Sequence, residues 1–291
     1  MQYEKIYSLA SVMEEITPFL NKYKDKVIVI KYGGNAMING LLKKAVMKDL
    51  LLLNQLGVKT VLVHGGGIDI DNNLKAIGKK SQFIDGLRVT DKETMAIVQQ
   101  VLAGKVNKDL VALLGDKGIG LCGVDGQMLL AEKSQRAKDL GYVGEIKEVN
   151  CNLIQLGMNA GLIPVIATIA SDAQGIIYNI NADIAASKIA IALDAAKLII
   201  MTDISGLLRD YNNPDTLISH LDIAEIPELI NDGAISGGMI PKVNSCVDCV
   251  KQGVPEVAIT DGRVEHSILL EMFSPKGCGT LFYNKGSGNE K

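Results

Sequence analysis

Apolar runs of strand length alternate with amphipathic stretches of helical period along most of the chain. The runs are 27–32, 58–63, 119–124, 162–169, 176–180, 197–202 and 256–260. Between them 38–56, 68–78, 91–114, 150–159, 181–195, 222–232, 239–252 and 263–272 read as helices. Val27-Ile28-Val29-Ile30 has no polar alternation, as expected of a strand covered on both faces. Strands alternating with helices predict an α/β fold with a mainly parallel central sheet between helix layers.

Some helix starts are signalled locally. Thr90 with Glu93 reads as a capping box, Thr90 at the N-cap and Glu93 at N3, which places Arg88 just ahead of a helix. In "NINADIAASKIA", Asn181 or Asp183 opens an alanine-rich helix by accepting from its free amides. Leu9, Val12, Met13, Ile16, Phe19 and Leu20 form a helical stripe before the first strand, which packs on the protein's own core or on another subunit. Pro18 is expected to kink or restart that helix, because its ring nitrogen has no proton to donate.

Composition narrows the class. With 47% apolar and 22% charged residues, the 291-residue chain is that of an ordered globule. A net charge of −3 gives no electrostatic footprint for nucleic acid or an anionic membrane. The longest candidate span, "GLIPVIATIA", is short and broken by Pro164, and the amino terminus lacks the basic-then-apolar order of a signal peptide. These features predict a cytoplasmic protein with no membrane partner. Its five cysteines do not suggest a disulfide framework, and Cys246 and Cys249 read as two small residues on one helix face.

The chemistry gathers at three glycine-bearing loops. Lys31 ends the first apolar run just before Gly33-Gly34, at the strand end where open α/β sheets bind ligands. Gly65-Gly66-Gly67 follows the second run and leads into a helix whose free amides can receive an anion. Gly237 and Gly238 precede Lys242. No GxxxxGK[ST] occurs, no GxGxxG follows the first strand, and no GxSxG elbow is present, so neither a P-loop, a nicotinamide dehydrogenase nor a serine hydrolase is indicated. His64, His220 and His266 are too few to suggest histidine chemistry, and His64 is expected to complete a strand end. A carboxylate at Asp183 lying between Lys31 and Lys242 would hold both lysines charged and fix their direction. That set suits phosphoryl transfer, and an acceptor carboxylate, already ionised at neutral pH, needs no base.

The motifs "KYGGNAM" (31–37), "VHGGG" (63–67), "GLRVTD" (86–91), "VLAGKVNK" (101–108), "NINADIAA" (179–186), "TDISGLL" (202–208) and "GGMIPKV" (237–243) are similar to those of the amino acid kinase family. "GLRVTD" with "NINADIAA" most resembles its N-acetylglutamate kinase branch. The resemblance implies a three-layer αβα sandwich. Residues 1–24 would form an oligomerisation arm, 25–195 a lobe for the acyl amino acid and 196–291 a lobe for ATP. It implies ATP-dependent phosphorylation of the γ-carboxylate of N-acetyl-L-glutamate, with Mg²⁺ carried by the nucleotide phosphates. Lys31 and Lys242 would contact the transferring phosphoryl group and Asp183 would orient them. Gly66 and Gly67 would bind substrate through their amides, Arg88 would pair with its α-carboxylate and Asn179 would hold the acetamido end. Gly33 and Gly34 would lie along the phosphates, and Asp203, Ile204, Ser205, Gly206, Leu207, Leu208, Ala234, Ile235 and Ser236 would line the nucleotide site. The expected assembly is a homohexamer, a trimer of dimers, or at least a homodimer. L-arginine is the expected inhibitor and a PII-type signalling protein a candidate partner. "HSILLEMFSPKGCGTLF", with His266, resembles the arginine-binding region, although Lys276 would repel a guanidinium. The competing readings are a kinase for another acyl amino acid, such as carrier-bound aminoadipate, and a non-catalytic amino-acid sensor of the same fold.

Overall fold

The computed structural model describes residues 2–136, 138–210, 213–235 and 239–287. Its central sheet has eight strands. They run in the order β12 (His220–Asp222), β14 (Thr280–Tyr283), β13 (Val257–Asp261), β11 (Lys197–Thr202), β1 (Val27–Tyr32), β2 (Lys59–His64), β8 (Ile163–Ala167) and β5 (Gly118–Cys122). All neighbours pair in parallel except β13 with β14, so the predicted mainly parallel sheet is observed. A smaller sheet runs β10 (Ile177–Asn179), β9 (Ile169–Ser171), β6 (Leu129–Lys133) and β7 (Gly144–Val149), and β3 (Phe83–Ile84) pairs with β4 (Leu87–Arg88) as a hairpin.

Helices α1 (Gln2–Tyr23), α2 (Gly40–Gln55), α3 (Gly67–Ala76), α4 (Lys92–Gln99), α5 (Asn107–Leu114), α6 (Asn152–Asn159), α7 (Ala182–Ala192), α8 (Ile226–Asn231), α9 (Met239–Lys251) and α10 (Ser267–Phe273) complete the fold. The period-two alternation of strand side chains divides the core between the two faces of the central sheet. Val29, Val61, Val63, Leu198 and Ile200 pack with α6, α7 and α9 on one face. Ile28, Ile30, Tyr32, Leu62 and Ile199 pack with α2, α4, α5 and α10 on the other.

Several local expectations are corrected. Thr90 is not the N-cap of α4: that place belongs to Asp91, whose carboxylate accepts from the Thr94 amide at 2.8 Å, while Thr90 is wholly buried. Glu93 does not close a capping box and instead pairs with Lys79 at 2.9 Å. Helix α1 runs unbroken through Pro18, and solvent around the exposed Glu14 can hydrate the carbonyl that proline leaves without a donor. The run 162–169 divides at Thr168, β8 staying in the central sheet and β9 joining the smaller one. The stretch 91–114 is helical throughout, but Gln100–Val106 is wound as a π-helix.

Val12 and Met13 on α1 are exposed, whereas Tyr23 at its end is buried and donates to Glu256 at 2.8 Å. Phe19, toward the end of that stripe, packs against the core of this chain. Cys246 and Cys249 face the core from α9, and all five cysteines are free thiols.

Candidate active site

Lys31 continues the face of β1 that carries Val27 and Val29, so the strand's alternation aims its ammonium toward the helices of that side. Helix α7 lies there. Asn181 caps it, its side-chain oxygen accepting from the Asp183 and Ile184 amides at 2.9 and 3.1 Å, which fixes the first turn and holds Asp183 toward the strand end. Buried Val243, Cys246 and Val250 seat α9 alongside, and its early residue Lys242 reaches the same carboxylate. Lys31 Nζ stands 2.9 Å from one Asp183 oxygen and Lys242 Nζ 2.9 Å from the other.

The predicted lysine–carboxylate–lysine set is thus assembled from three elements separated widely in sequence. Burial alone would push the Asp183 carboxyl up, but the two ammonium charges and their hydrogen bonds outweigh it and hold Asp183 well below the usual carboxylate range. Asp183 therefore stays ionised at any pH at which the protein works. Two positive charges at a strand mouth, kept in place by one anion, form a preorganised receptor for a group that gains negative charge in the transition state.

A cavity of about 200 Å³ lies beside this set. Gly66, Gly67, Arg88 and Asn179 line it together, so the residues expected to hold the substrate share one site. Arg88 is almost fully buried, reaches the Gly67 carbonyl with Nη2 at 3.1 Å and stacks 4.7 Å from the Phe83 ring centre. Asn179 donates to the Thr90 hydroxyl at 3.1 Å, and that hydroxyl donates to the Arg88 carbonyl at 2.8 Å. Thr90, expected to cap a helix, instead ties the Asn179 side chain to the Arg88 backbone. Behind the glycines the π-helical segment presses close: a Cβ on Gly66 would lie 2.7 Å from Leu102.

His64 forms the inner wall. Asn107 donates to its Nε2 at 3.1 Å and its Nδ1 faces the Gly65 carbonyl at 2.8 Å, which suits the neutral ring protonated on Nδ1. Desolvation pushes its pKa down to about 4. The unfolded chain then binds a proton through the ordinary histidine range while the folded chain does not, so stability is full above about pH 6.5 and falls as pH drops toward 4. The expected loss from this residue is on the order of 3 kcal/mol across that window. Urea unfolding from pH 7 to 4 checks it: the fall should be largely absent from His64→Gln, and an equal fall in both proteins would contradict the assignment.

Of the expected nucleotide-side residues, Gly33 and Gly34 follow β1, Asp203 to Leu208 follow β11, and Ala234 and Ile235 follow α8. Gly34 has φ +70°, and a Cβ there would stand 2.8 Å from an Asp203 carboxylate oxygen. Gly34→Ala should therefore cost about 1–2 kcal/mol of stability from left-handed strain and raise KM for nucleotide more than KM for the second substrate, as steady-state kinetics would show. Ser205 is exposed, Ile204 and Leu208 are half-buried, and Gly206 is closed in by Thr280. Leu207 and Ile235 give their side chains to the core, Ala234 packs against it, and the Leu207 amide donates to the Thr280 hydroxyl at 2.8 Å. Ser236, with Gly237 and Gly238, lies outside the described residues.

Sequence reasoning missed three supports of this edge. Asp261 at the end of β13 takes Nε and Nη2 of Arg263 at 2.9 and 2.7 Å. Asp71 and Ser81 both bond the Arg88 guanidinium. Asn107 ties α5 to His64 and to the Val165 carbonyl, the latter at 2.8 Å. The pair Asp261–Arg263 is local, two residues apart, whereas Asp71 and Asn107 act through partners distant in sequence.

Among the described residues no group of three His, Cys, Asp or Glu side chains is placed to hold a metal ion. Asp183 gives one oxygen to each lysine. This donor set fits a cation that arrives on nucleotide phosphates better than one held by the protein. A second cavity, about 870 Å³, lies away from these residues between the end of α1 and α10. Lys197, Glu256, Glu271 and Lys276 line it, whereas His266 pairs with Asp49 at 2.6 Å.

The sequence profile of the amino acid kinase family matches residues 26–261. The acetylglutamate kinase of Actinobacillus pleuropneumoniae serotype 7 is 56% identical over 285 residues, covering 98% of this chain and 100% of that protein. That of Clostridium kluyveri is 49% identical, covering 97% of this chain and 100% of the relative. Among solved structures, N-acetylglutamate synthase from Neisseria gonorrhoeae, complexed with coenzyme A and L-arginine, superposes with a TM-score of 0.82 at 26% identity. That match covers 95% of this chain, which spans 65% of the synthase's length. Carbamate kinase from Giardia lamblia bound to AMP-PNP shares the fold, with a TM-score of 0.63 over 89% of this chain and 98% of that one.

Proposed function

Since the chain belongs to the amino acid kinase family, we propose that it phosphorylates the γ-carboxylate of N-acetyl-L-glutamate with ATP. The products are N-acetyl-L-glutamyl 5-phosphate and ADP, in the synthesis of arginine through ornithine. One observation carries the reading: Lys31 and Lys242, each 2.9 Å from an Asp183 oxygen, stand at the strand mouth beside the cavity that Arg88 and Asn179 line. Relatives 49–56% identical over nearly the whole chain are acetylglutamate kinases, which supports this acyl amino acid over others.

The carboxylate oxygen attacks the γ-phosphorus in line as the bond to the β-phosphate oxygen breaks and ADP leaves with that electron pair. Lys31 and Lys242 meet the phosphoryl oxygens as charge builds on them, and Asp183 keeps both ammonium groups directed there. Arg88 pairs with the α-carboxylate, Asn179 holds the acetamido group and the amides of Gly66 and Gly67 face the acceptor. Mg²⁺ carried by ATP supplies further neutralisation of phosphate charge. The acyl amino acid occupies the lobe 25–195 and ATP the lobe 196–291, with the ATP phosphates reaching across to Gly33-Gly34 of the first lobe.

Regulation and assembly belong to the same proposal. The exposed stripe of α1 packs on another subunit in a homohexamer. Arginine binds the 870 Å³ cavity, where Glu256 and Glu271 are shared with Lys197 and Lys276 opposes a cation. A PII-type protein is a further regulatory partner, and the setting is cytoplasmic. No helix among the described residues is long and apolar enough to cross a membrane.

Hydroxylamine trapping of the acyl phosphate tests the reading, with N-acetylglutamate, glutamate and N-acetylaminoadipate compared with and without arginine. ATP-dependent hydroxamate from N-acetylglutamate alone is expected, suppressed by arginine. Hydroxamate chiefly from N-acetylaminoadipate would replace the substrate, and none from any acceptor in a folded, ATP-binding protein would leave the sensor.

A further inference from the structure

The buried arginine of the substrate cavity is held by a pair of side chains outside it. Arg88 Nη1 donates both to an oxygen of Asp71, on α3, and to the Ser81 hydroxyl, which itself bonds the same Asp71 oxygen. Nη2 donates to the Gly67 carbonyl at 3.1 Å, and the Phe83 ring lies against the guanidinium face, 4.7 Å away. A guanidinium has five N–H donors in a planar fork. With Nη1 occupied and one Nη2 proton on Gly67, the donors left are Nε–H and the second Nη2 proton. With Gly67 taking the Nη2 proton that faces Nη1, these two lie side by side on one edge, the spacing that takes both oxygens of a carboxylate.

We propose that Asp71, with Ser81, is a positioning residue that selects this edge of Arg88 for the substrate's α-carboxylate. The inference rests on the acylglutamate reading of the cavity. Fixing Nη1 does two things. It stops rotation of the guanidinium in its plane, so the ligand meets a fork already aligned. It also removes the end-on pair of donors as a rival binding edge, so the carboxylate is held in one orientation and the γ-carboxylate is directed toward Lys31 and Lys242. Asp71 is about half exposed, with a side-chain exposure of 45%, so its charge is screened by solvent and only weakly offsets that of Arg88. The hydrogen-bond acceptor is the part of Asp71 that matters.

Two acceptors separate this role from a structural one: N-acetylglutamate, and 4-acetamidobutanoate, which keeps the acetamido group and the phosphorylatable carboxylate but lacks the α-carboxylate. Hydroxamate formation gives kcat/KM for each in wild type, Asp71→Ala, Asp71→Asn and Ser81→Ala. In Asp71→Ala the preference for N-acetylglutamate should shrink by about tenfold, through KM for that substrate alone, as expected for one oriented charge-assisted pair. KM for ATP and kcat/KM for 4-acetamidobutanoate should stay within about twofold. Asp71→Asn keeps an acceptor at the same place and should restore most of the preference, with Ser81→Ala intermediate. Equal losses on both acceptors, or an unchanged preference in Asp71→Ala, would overturn the proposal. A wild-type protein that turns over neither acceptor would overturn the acylglutamate reading itself, and this inference with it.

Discussion

Replacing Lys31 with methionine is expected to lower kcat for hydroxamate formation by about a hundredfold or more, on the order of 3 kcal/mol of transition-state stabilisation. Methionine keeps most of the stem, so the packing at the mouth of β1 survives while the charge goes. The ground-state complex already holds ATP through other contacts, so its dissociation constant should move only a few fold. The loss should therefore fall on turnover, as it does when an interaction strengthens only as the reaction proceeds. Lys242→Met should behave alike, because the two ammonium groups are equivalent about Asp183, each at 2.9 Å. The double replacement should cost less than the product of the single losses, since each leaves the other lysine tied more closely to the shared carboxylate. Quench-flow rates at saturating substrates, with thermal melts to check folding, decide the matter. A Lys31→Met protein that turns over within threefold of wild type would remove Lys31 from the chemistry.

Lys197→Met should destabilise the protein by about 3–5 kcal/mol with no direct effect on the reacting groups. Lys197 begins β11 and is almost wholly buried, 2.9 Å from Glu271 on α10 and 3.5 Å from Glu256 beside β13. Glu271 is as deeply buried and accepts from the Cys278 amide at 3.1 Å. Removing the lysine leaves an anion in the interior with one amide to satisfy it, which is far costlier than removing both charges together. The same network reaches α1, because Lys22 and the Tyr23 hydroxyl both bond Glu256. Urea unfolding should show the full loss in Lys197→Met and recovery of a large part of it in Lys197→Met with Glu271→Gln. If the single variant unfolds at the wild-type midpoint, the buried pair contributes nothing to the fold.

Much of this arrangement was legible in the chain because apolar runs of strand length mark buried parallel strands. Residues 27–32 are β1 as expected, and Lys31 stands at its carboxyl end. The strands that escaped notice are short or half polar. In β7, Ile146 is buried but Lys147 and Glu148 face solvent, and β12 has three residues, so neither pattern rises above that of a loop. The capping signature counts spacing alone, while Asp91, a better acceptor one residue later, turns its carboxylate to the Thr94 amide. The lysines and Asp183 could be grouped from glycine loops and the Asn181 cap. Asp71 and Ser81 could not, since only the folded chain brings them to Arg88. A carboxylate in the first turns of a helix otherwise reads as a solvated residue near the positive end of the dipole.

The central claim is that a carboxylate oxygen of the acyl amino acid becomes bonded to the γ-phosphorus between Lys31 and Lys242. Phosphorus NMR of the reaction with N-acetylglutamate carrying ¹⁸O in its γ-carboxylate observes that bond directly. The account predicts an acyl phosphate resonance displaced by ¹⁸O bonded to phosphorus, formed with ADP by the wild type and greatly slowed in Lys31→Met. Release of unlabelled inorganic phosphate with ADP, and no labelled acyl phosphate even under early quenching, would contradict it.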